Sequence, residues 1–351
     1  MESEEWDVFF MKRCLELASK AENIVAPNPM VGSVLVCENK IISEGYHQKF
    51  GEAHAEVNAL KDVYDAELLK NSTLYVSLEP CSHYGKTPPC ADLIIQKQIP
   101  RVVVACLDPN PMVSGNGIKK MTENGISVKI GVLEQEAKEL NSRFFVYQQQ
   151  KRPYVVLKWA ETADGFISRD DFSSKWISGV EARTLAHQWR SHEMAILVGS
   201  NTAMHDNPTL DVRFWNGKNP IRCLVDRNLK VSEHFNVFKN GTKTLVFNSL
   251  KSGVDENLNI EWIKTPTDSG AKTLLQELFN RKISSVLIEG GARIHEMFLE
   301  SSCVDEIKKV VSKTQKFNSG IPAVTVPTGF SMVQKMEIEH EIIFTFRKST
   351  S

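Results

Sequence analysis

Two α/β domains in tandem are what this sequence predicts, on three observations. These are its length, an alternation of helical and strand-like apolar patterns in both halves, and a polar link, QQQKRP, between them. At 351 residues the chain is too long for one typical core and comfortable for two. Such alternation argues for sheets with helices packed on both faces.

In the first half, Phe9, Cys14, Leu15 and Ala18 recur at helical spacing, and strands are predicted over 31–36 and 41–45. A helix opened by His54 follows, with Val57, Leu60 and Val63 as its apolar stripe. Then come a strand over 73–78, a helix over 92–97, a strand over 102–107, and a helix and strand ending at Val132. The charged periodic segment 133–150 reads as one helix, stopped by Pro153. The boundary is placed at Gln148, giving domains 1–148 and 149–351. The second half opens with a strand over 154–160 and a turn at Asp164-Gly165, then a helix over 180–191. Further strands are predicted over 195–199, 221–226, 244–248, 260–263, 286–289 and 342–346.

The chemistry concentrates in residues 51–92. They hold a His-x-Glu pair (His54, Glu56), a Pro-Cys (Pro80, Cys81) at the end of a strand, and a second Pro-Cys (Pro89, Cys90). A catalytic zinc takes three nitrogen or sulfur ligands and keeps a fourth position for water, and His54, Cys81 and Cys90 supply one imidazole and two thiolates. Metal binding brings that water's pKa toward neutrality. Glu56 is left as the proton carrier, the part a non-ligating Glu plays in zinc deaminases. Side chains two apart do not share a helix face, so His54 is expected in the first helical turn, where Glu56 can lean over the metal. Proline suits a helix start, and a helix start favours thiolate, so both cysteines are expected at helix N-termini. The usual Cys-x-x-Cys spacing is absent: eight residues, SHYGKTPP, separate the two thiols.

Composition narrows the partners. Lys+Arg 42 against Asp+Glu 43 gives a net charge of -1 with no basic tract, which weighs against a nucleic-acid surface. The acidic start MESEEWDVFF lacks the pattern of a secretory signal, and no apolar run reaches bilayer length. Seven cysteines, two of them assigned to metal, point to a reducing, cytoplasmic setting. Cys14, Cys37, Cys106, Cys223 and Cys303 read as core residues. In the second half, VLIEGGARIHEMFL places Gly290-Gly291 between a buried strand and an amphipathic helix. That arrangement lets a phosphate approach backbone N–H groups, although paired glycines are also ordinary punctuation, and the GxGxxG fingerprint is absent.

HAEVNAL with LEPCSHYGKTPPC, flanked by APNPMVGSVLV and DPNPMVSGNGI, resembles the deaminase half of the bifunctional riboflavin-biosynthesis deaminase/reductase family, which carries a long insert between its cysteines. LKWAETADG, SSKWISGVEAR, GSNTAMHDNPTLDVR and IEGGARI resemble the reductase half, so the likeness spans nearly the whole chain. It implies a cytidine-deaminase-like three-layer α/β/α domain followed by a dihydrofolate-reductase-like domain using NADPH. In the first domain it implies zinc on His54, Cys81 and Cys90, proton transfer by Glu56, and substrate contacts from Asn28, Lys86, Asp108 and Asn110. In the second it implies cofactor contacts from Ala160, Trp176, Thr202, Asp206 and Gly291, and substrate contacts from Ser174, Arg190, Leu210, Arg213 and Glu289. Arg190 and Arg213 make sense as phosphate clamps because a guanidinium fork matches phosphate oxygens; the bland reading of each is a solvated arginine.

The resemblance further implies a two-step enzyme acting on a pyrimidine ribosylamine phosphate, and self-association into a homo-oligomer. Two departures stand out. After Asp305 the chain reads IKKVVSKTQKFNSGIPAV where relatives run through a strand into a turn with proline and glycine, and Arg227 replaces a small hydroxyl residue, facing either cofactor or solvent. The alternatives are a nucleoside or nucleic-acid base deaminase with an accessory tail, and a zinc-stabilised binding protein without turnover.

Overall fold

The structure, a computed structural model, describes residues 2–84, 88–110, 113–171 and 176–349. The chain divides into two compact units, Met1–Lys151 and Arg152–Ser351. This division lies beyond the expected boundary at Gln148 because the last helix of the first unit continues to Gln150.

The first unit runs α1 (Ser3–Ser19), β1 (Gly32–Cys37), β2 (Lys40–Tyr46), α2 (Ala55–Leu60), α3 (Ala66–Lys70), β3 (Ser72–Val76), α4 (Cys90–Gln96), β4 (Arg101–Val104), α5 (Asn116–Glu123), β5 (Ser127–Ile130), α6 (Glu134–Leu140) and α7 (Ser142–Gln150). Its five-stranded sheet has the order β2-β1-β3-β4-β5. Pairing is antiparallel from β2 through β1 to β3 and parallel from β3 through β4 to β5. Side chains alternate across a strand, and here both faces are buried. Val34, Val36, Tyr75 and Val103 pack with Phe10, Met11, Cys14 and Phe144 on one side. Leu35, Leu74, Val76, Val102 and Val104 pack with Leu60, Ile94 and Met121 on the other. The result is three layers. Gly45 lets β2 touch the helix that carries Glu56, since a Cβ there would stand 2.4 Å from the Ala55 carbonyl oxygen.

The segment 133–150 is two helices rather than one. They break at Asn141, whose side chain accepts the Met30 N–H (2.8 Å) and donates to the Met30 carbonyl (2.9 Å). The amide mimics a strand partner and pins the chain entering β1, a tertiary demand that local periodicity does not contain.

The second unit runs β6 (Tyr154–Glu161), β7 (Phe166–Ser168), α8 (Val180–His192), β8 (Ala195–Gly199), α9 (Ser200–Asp206), β9 (Ile221–Val225), β10 (Thr244–Asn248), β11 (Gly253–Asp255), β12 (Ile260–Lys264), α10 (Ala271–Asn280), β13 (Ser285–Ile288), α11 (Ala292–Glu300), β14 (Glu306–Ser312), β15 (Ile321–Pro322), β16 (Phe330–Glu337) and β17 (Glu341–Lys348). A ten-stranded sheet has the order β11-β12-β10-β9-β8-β13-β6-β14-β17-β16. From β12 across to β14 the strands are parallel; β11, β17 and β16 are antiparallel to their neighbours. The helix α10, not anticipated from sequence, buries Leu274, Leu275 and Leu278 in the core beside Phe247 and Phe298. Each such leucine contributes about 1.5–3 kcal/mol relative to exposure.

The segment after Asp305, set apart as a departure, does form a strand: β14 sits between β6 and β17. Its lysines disguise it. Lys308 pairs with Glu306 at 2.8 Å and Lys309 with Glu161 at 2.7 Å, which lets both sit on an inner strand.

Candidate active sites

In the first unit the chain entering α2 is held before the functional residues begin. The Ala53 carbonyl accepts from Asn58 Nδ2 (3.3 Å) and lies 3.1 Å from His47 Nδ1, while Asn58 Nδ2 also reaches the Tyr46 carbonyl (2.9 Å). His54 therefore stands just before the helix, as its N-cap with extended backbone (φ -72, ψ 167), not within the first turn. Glu56 follows on the buried side of α2, only 3% exposed. Cys90 is the first residue of α4, with Pro89 as N-cap. Cys81 is not at a helix start, contrary to expectation: it lies in the loop after β3, and its Sγ accepts the Cys90 N–H at 3.4 Å. The start of α4 thus serves the thiolate of a neighbour.

His54 Nδ1 lies 3.5 Å from Cys81 Sγ and 3.4 Å from Cys90 Sγ, and the three donor atoms all fall within 4.8 Å of one another. Zn–S bonds of about 2.3 Å and Zn–N bonds of about 2.0–2.1 Å at tetrahedral angles put nitrogen and sulfur about 3.5 Å apart, so the donor set fits zinc. The hydrogen bond from Cys90 lowers the Cys81 thiol below its usual range, and His54 adds to this; Cys90 is pushed up by the same pairing. Burial, and next the charge at Cys81, raises the Glu56 carboxyl to about 7, with the Cys90 thiol in hydrogen-bonding reach. A carboxyl balanced near neutrality beside the donor trio is suited to taking and returning a proton.

Around this trio, Asn28 Nδ2 lies 3.2 Å from His47 Nε2, and the His47 ring meets the His54 ring edge-on at 5.6 Å. Asp108 accepts the Asn110 N–H through Oδ1 (2.8 Å), and burial raises its carboxyl above the usual range. Lys86 lies outside the described residues. The sequence reading missed Glu79. Buried two residues before Cys81, it accepts backbone N–H groups of Asp108 (3.2 Å), Gly115 (2.9 Å), Gly117 (3.0 Å) and Ile118 (3.5 Å). The loop bearing Asp108 and Asn110 is thereby tied to the cysteine loop. The only signal for it was an acidic residue inside LEPC.

In the second unit the adjacent parallel strands β8 and β13 end at Gly199 and at Ile288, the latter followed by Glu289-Gly290-Gly291. A Cβ on Gly290 would stand 2.5 Å from the Val198 Cα, so only glycine lets the two strand ends meet. Gly291 (φ +67) is the N-cap of α11, and the place its Cβ would occupy is 3.1 Å from Thr202 Oγ1 on α9. Ala160 is near the end of β6, which pairs with β13, and Asp206 ends α9 one turn beyond Thr202. Trp176 contacts residues outside the expected set: the Arg183 guanidinium 4.7 Å above its ring and the Gln315 side chain at its carbonyl. Ser174 lies outside the described residues.

Arg190 is not an open clamp. Its Nε and Nη2 donate to the two Glu289 oxygens at 2.8 Å each, and its Nη1 donates to the Asp211 carbonyl at 3.1 Å. Despite burial, Arg190 and then Lys158 hold the Glu289 carboxyl down to about 2. Lys158, on β6, was also missed; burial lowers its ammonium below the usual range. Leu210 is buried with φ +55, and Arg213 donates through Nη1 to the Asp211 carboxylate with its guanidinium over the Phe214 ring at 5.0 Å. Arg227 is exposed, and its guanidinium donates to the carbonyls of Thr267 and Ser269.

Comparison with known proteins covers both units. The family described as cytidine and deoxycytidylate deaminase zinc-binding region matches residues 4–106, and that described as RibD C-terminal domain matches residues 153–312. The riboflavin biosynthesis protein RibD of Aquifex aeolicus (strain VF5) is 44% identical over 307 residues, 86% of each chain. Its counterpart in Bacillus amyloliquefaciens is 42% identical over 307 residues, 85% of this chain and 82% of that one. Among solved structures, a diaminohydroxyphosphoribosylaminopyrimidine deaminase/5-amino-6-(5-phosphoribosylamino)uracil reductase from Thermotoga maritima is 38% identical with a TM-score of 0.90, covering 99% of this chain and 100% of that one. RibD of Acinetobacter baumannii is 32% identical with a TM-score of 0.89 over the same shares.

Proposed function

We propose, from the premise that this chain belongs to the RibD family of riboflavin-biosynthesis proteins, a division of labour between its two units. The protein is a bifunctional enzyme, a zinc-dependent deaminase joined to an NADPH-dependent reductase. The unit Met1–Lys151 deaminates a diaminopyrimidinone ribosylamine 5'-phosphate. The unit Arg152–Ser351 then reduces the ribosyl chain of the resulting aminouracil to the ribityl form. The observation that carries this reading is the approach of His54, Cys81 and Cys90 within 4.8 Å, with a buried carboxyl two residues after the imidazole.

Bound by these three donors, zinc supplies a Lewis acid that brings a water's acidity near neutrality. Glu56, buried beside the three donors, would accept a proton from the attacking water at the amine-bearing ring carbon. The same carboxyl returns the proton to the nitrogen as the C–N bond breaks and ammonia leaves. Asn28, Lys86, Asp108 and Asn110 hold the pyrimidine and its ribose phosphate. In the second unit NADPH supplies the hydride. Ala160, Trp176, Thr202, Asp206 and Gly291 hold the cofactor. Ser174, Leu210 and Arg213 hold the substrate, with Arg213 on its phosphate, and the Arg190–Glu289 pair orients the ribosyl chain. The fit of a phosphate against Gly291 and Thr202 rests on the N–H groups at the start of α11.

A cytoplasmic setting accords with seven free cysteines, and a near-zero net charge accords with the absence of a nucleic-acid partner. Among the described residues no helix is long and apolar enough to cross a membrane. Self-association is part of the proposal, through the exposed edge strand β16 with Met332 and Val333; light scattering tests it. The reductase-type C-terminal unit removes the case for a base deaminase with an accessory tail.

A coupled assay tests the assignment. Glu56→Gln should abolish ammonia release while NADPH oxidation on the already deaminated pyrimidine continues. Deamination at the parental rate would remove Glu56 from the mechanism.

A further inference from the structure

We propose that His187 is a positioning residue of the reductase site, setting the reach of Arg213 toward the substrate phosphate; this rests on the reading of Arg213 given above. The segment after α9 is held in an unusual way. Leu210 is 1% exposed at φ +55, a backbone region that residues with a Cβ rarely adopt. Such a conformation persists where surrounding contacts over-determine it. Here three successive residues each give a backbone group to a side chain. The Asp211 carbonyl accepts from Arg190 Nη1 at 3.1 Å, the Val212 N–H donates to Asn219 Oδ1 at 2.8 Å, and the Arg213 N–H donates to His187 Nδ1 at 3.2 Å.

Two of those side chains, His187 and Arg190, come from α8, three residues apart and therefore on one face of that helix. His187 is 3% exposed, and its ring packs edge-on against Phe214 at 4.8 Å. The imidazole is thus fixed on both sides of Arg213: it accepts that residue's amide and braces the next residue's ring. As the acceptor, Nδ1 carries no proton, which places the ring proton on Nε2. The Arg213 guanidinium in turn lies over the same Phe214 ring and pairs with Asp211. Its direction is inherited from the backbone that His187 holds. Arg190 shares the task but also binds Glu289, next to the glycine turn, so changing it disturbs two places at once. Among the described residues His187 has no such second attachment in its hydrogen bonding, and a change there reads on Arg213.

The experiment uses the full-length, zinc-loaded protein and three variants: His187→Leu, His187→Asn and Arg213→Ala. Asparagine keeps an acceptor close to the place of Nδ1; leucine does not. Steady-state reduction of the deaminated pyrimidine is measured together with NADPH affinity by fluorescence and ribose 5-phosphate affinity by calorimetry. His187→Leu should raise KM for the pyrimidine about tenfold, the worth of one hydrogen bond near 1.4 kcal/mol, and weaken ribose 5-phosphate in parallel. NADPH affinity, kcat and ammonia release should stay within about twofold. His187→Asn should recover most of the loss, and it remains informative if the leucine variant fails to fold. A pyrimidine KM unchanged in His187→Leu but raised in Arg213→Ala overturns the role of His187 alone. An unchanged KM in Arg213→Ala overturns the phosphate reading of Arg213, and the inference built on it. Equal losses in NADPH affinity, kcat and pyrimidine KM, without rescue by asparagine, overturn it in favour of a purely structural histidine.

Discussion

The guanidinium of Arg190 closes on the carboxylate of Glu289 through two hydrogen bonds of 2.8 Å, joining the end of α8 to the strand end before the glycine turn. Both side chains are largely buried, so neither charge has water to fall back on. Removing one partner of such a pair leaves an uncompensated buried charge, typically at a cost of about 3–5 kcal/mol. Arg190→Met and Glu289→Leu should each lower the stability of the second unit by that order. The double variant should lose much less than the sum. Denaturant unfolding of the three variants measures this, and additive losses would show that the two residues do not act as a pair.

Zinc removal should separate the two activities. Among the described residues, the hydrophobic clusters of the first unit draw mainly on strand and helix residues and include Cys14 and Cys106 but not the donor pair. A chelator should therefore abolish ammonia release while most near-UV circular dichroism and all NADPH oxidation persist. Loss of the folded signal along with the metal would instead mark a structural zinc.

The donor trio was legible because its chemistry resides in residue types: an imidazole, two thiols and a carboxyl at telling separations need no tertiary information to attract attention. The strands Ala195–Gly199 and Thr244–Asn248 were legible because each is a continuous apolar run between polar breakers. The strand Glu306–Ser312 was not, since Lys308 and Lys309 look like surface residues until Glu306 and Glu161 are seen beside them. The break at Asn141 depends on Met30, 111 residues away, and the partner of Arg190 lies 99 residues away; nothing local announces either. By contrast, Leu274, Leu275 and Leu278 carried a helical pattern that could have been read.

Two histidines of the second unit should fail to titrate in the ordinary range. Burial pushes His187 down to about 4, with Arg190 and Arg213 adding to it and Asp211 and Glu289 opposing; burial likewise pushes His295 down to about 4. Each folded value lies below the ordinary 6.5, so the unfolded chain binds more protons between the two. The corresponding stability is present above 6.5 and is lost as pH falls toward 4. Glu289, held at about 2, adds a separate loss only below its ordinary 4.5. Histidine-ring NMR on the folded protein checks the first window: both rings should stay neutral from about pH 8 down to about pH 5. A folded-state titration near 6.5 for either ring would contradict the burial argument.

Glu79 offers the sharpest test of how the first site is assembled. One oxygen accepts the N–H groups of Asp108 and Gly115, the other those of Gly117 and Ile118. A carboxylate is suited to this because it offers acceptors only. Glu79→Gln keeps the size but turns one of the two oxygens into a donor facing N–H groups, leaving two N–H donors opposed. The expected cost is about 1–3 kcal/mol for each group left unsatisfied. Because the loop so released carries Asp108 and Asn110, KM for the deaminase substrate should rise more than kcat falls. Zinc content should stay at parental level, since Cys81, Cys90 and His54 are untouched. Metal analysis together with ammonia-release kinetics decides the matter: loss of zinc in Glu79→Gln would mean that the carboxylate supports the cysteine loop itself, whereas a rise in KM at full zinc occupancy locates its work in the substrate loop.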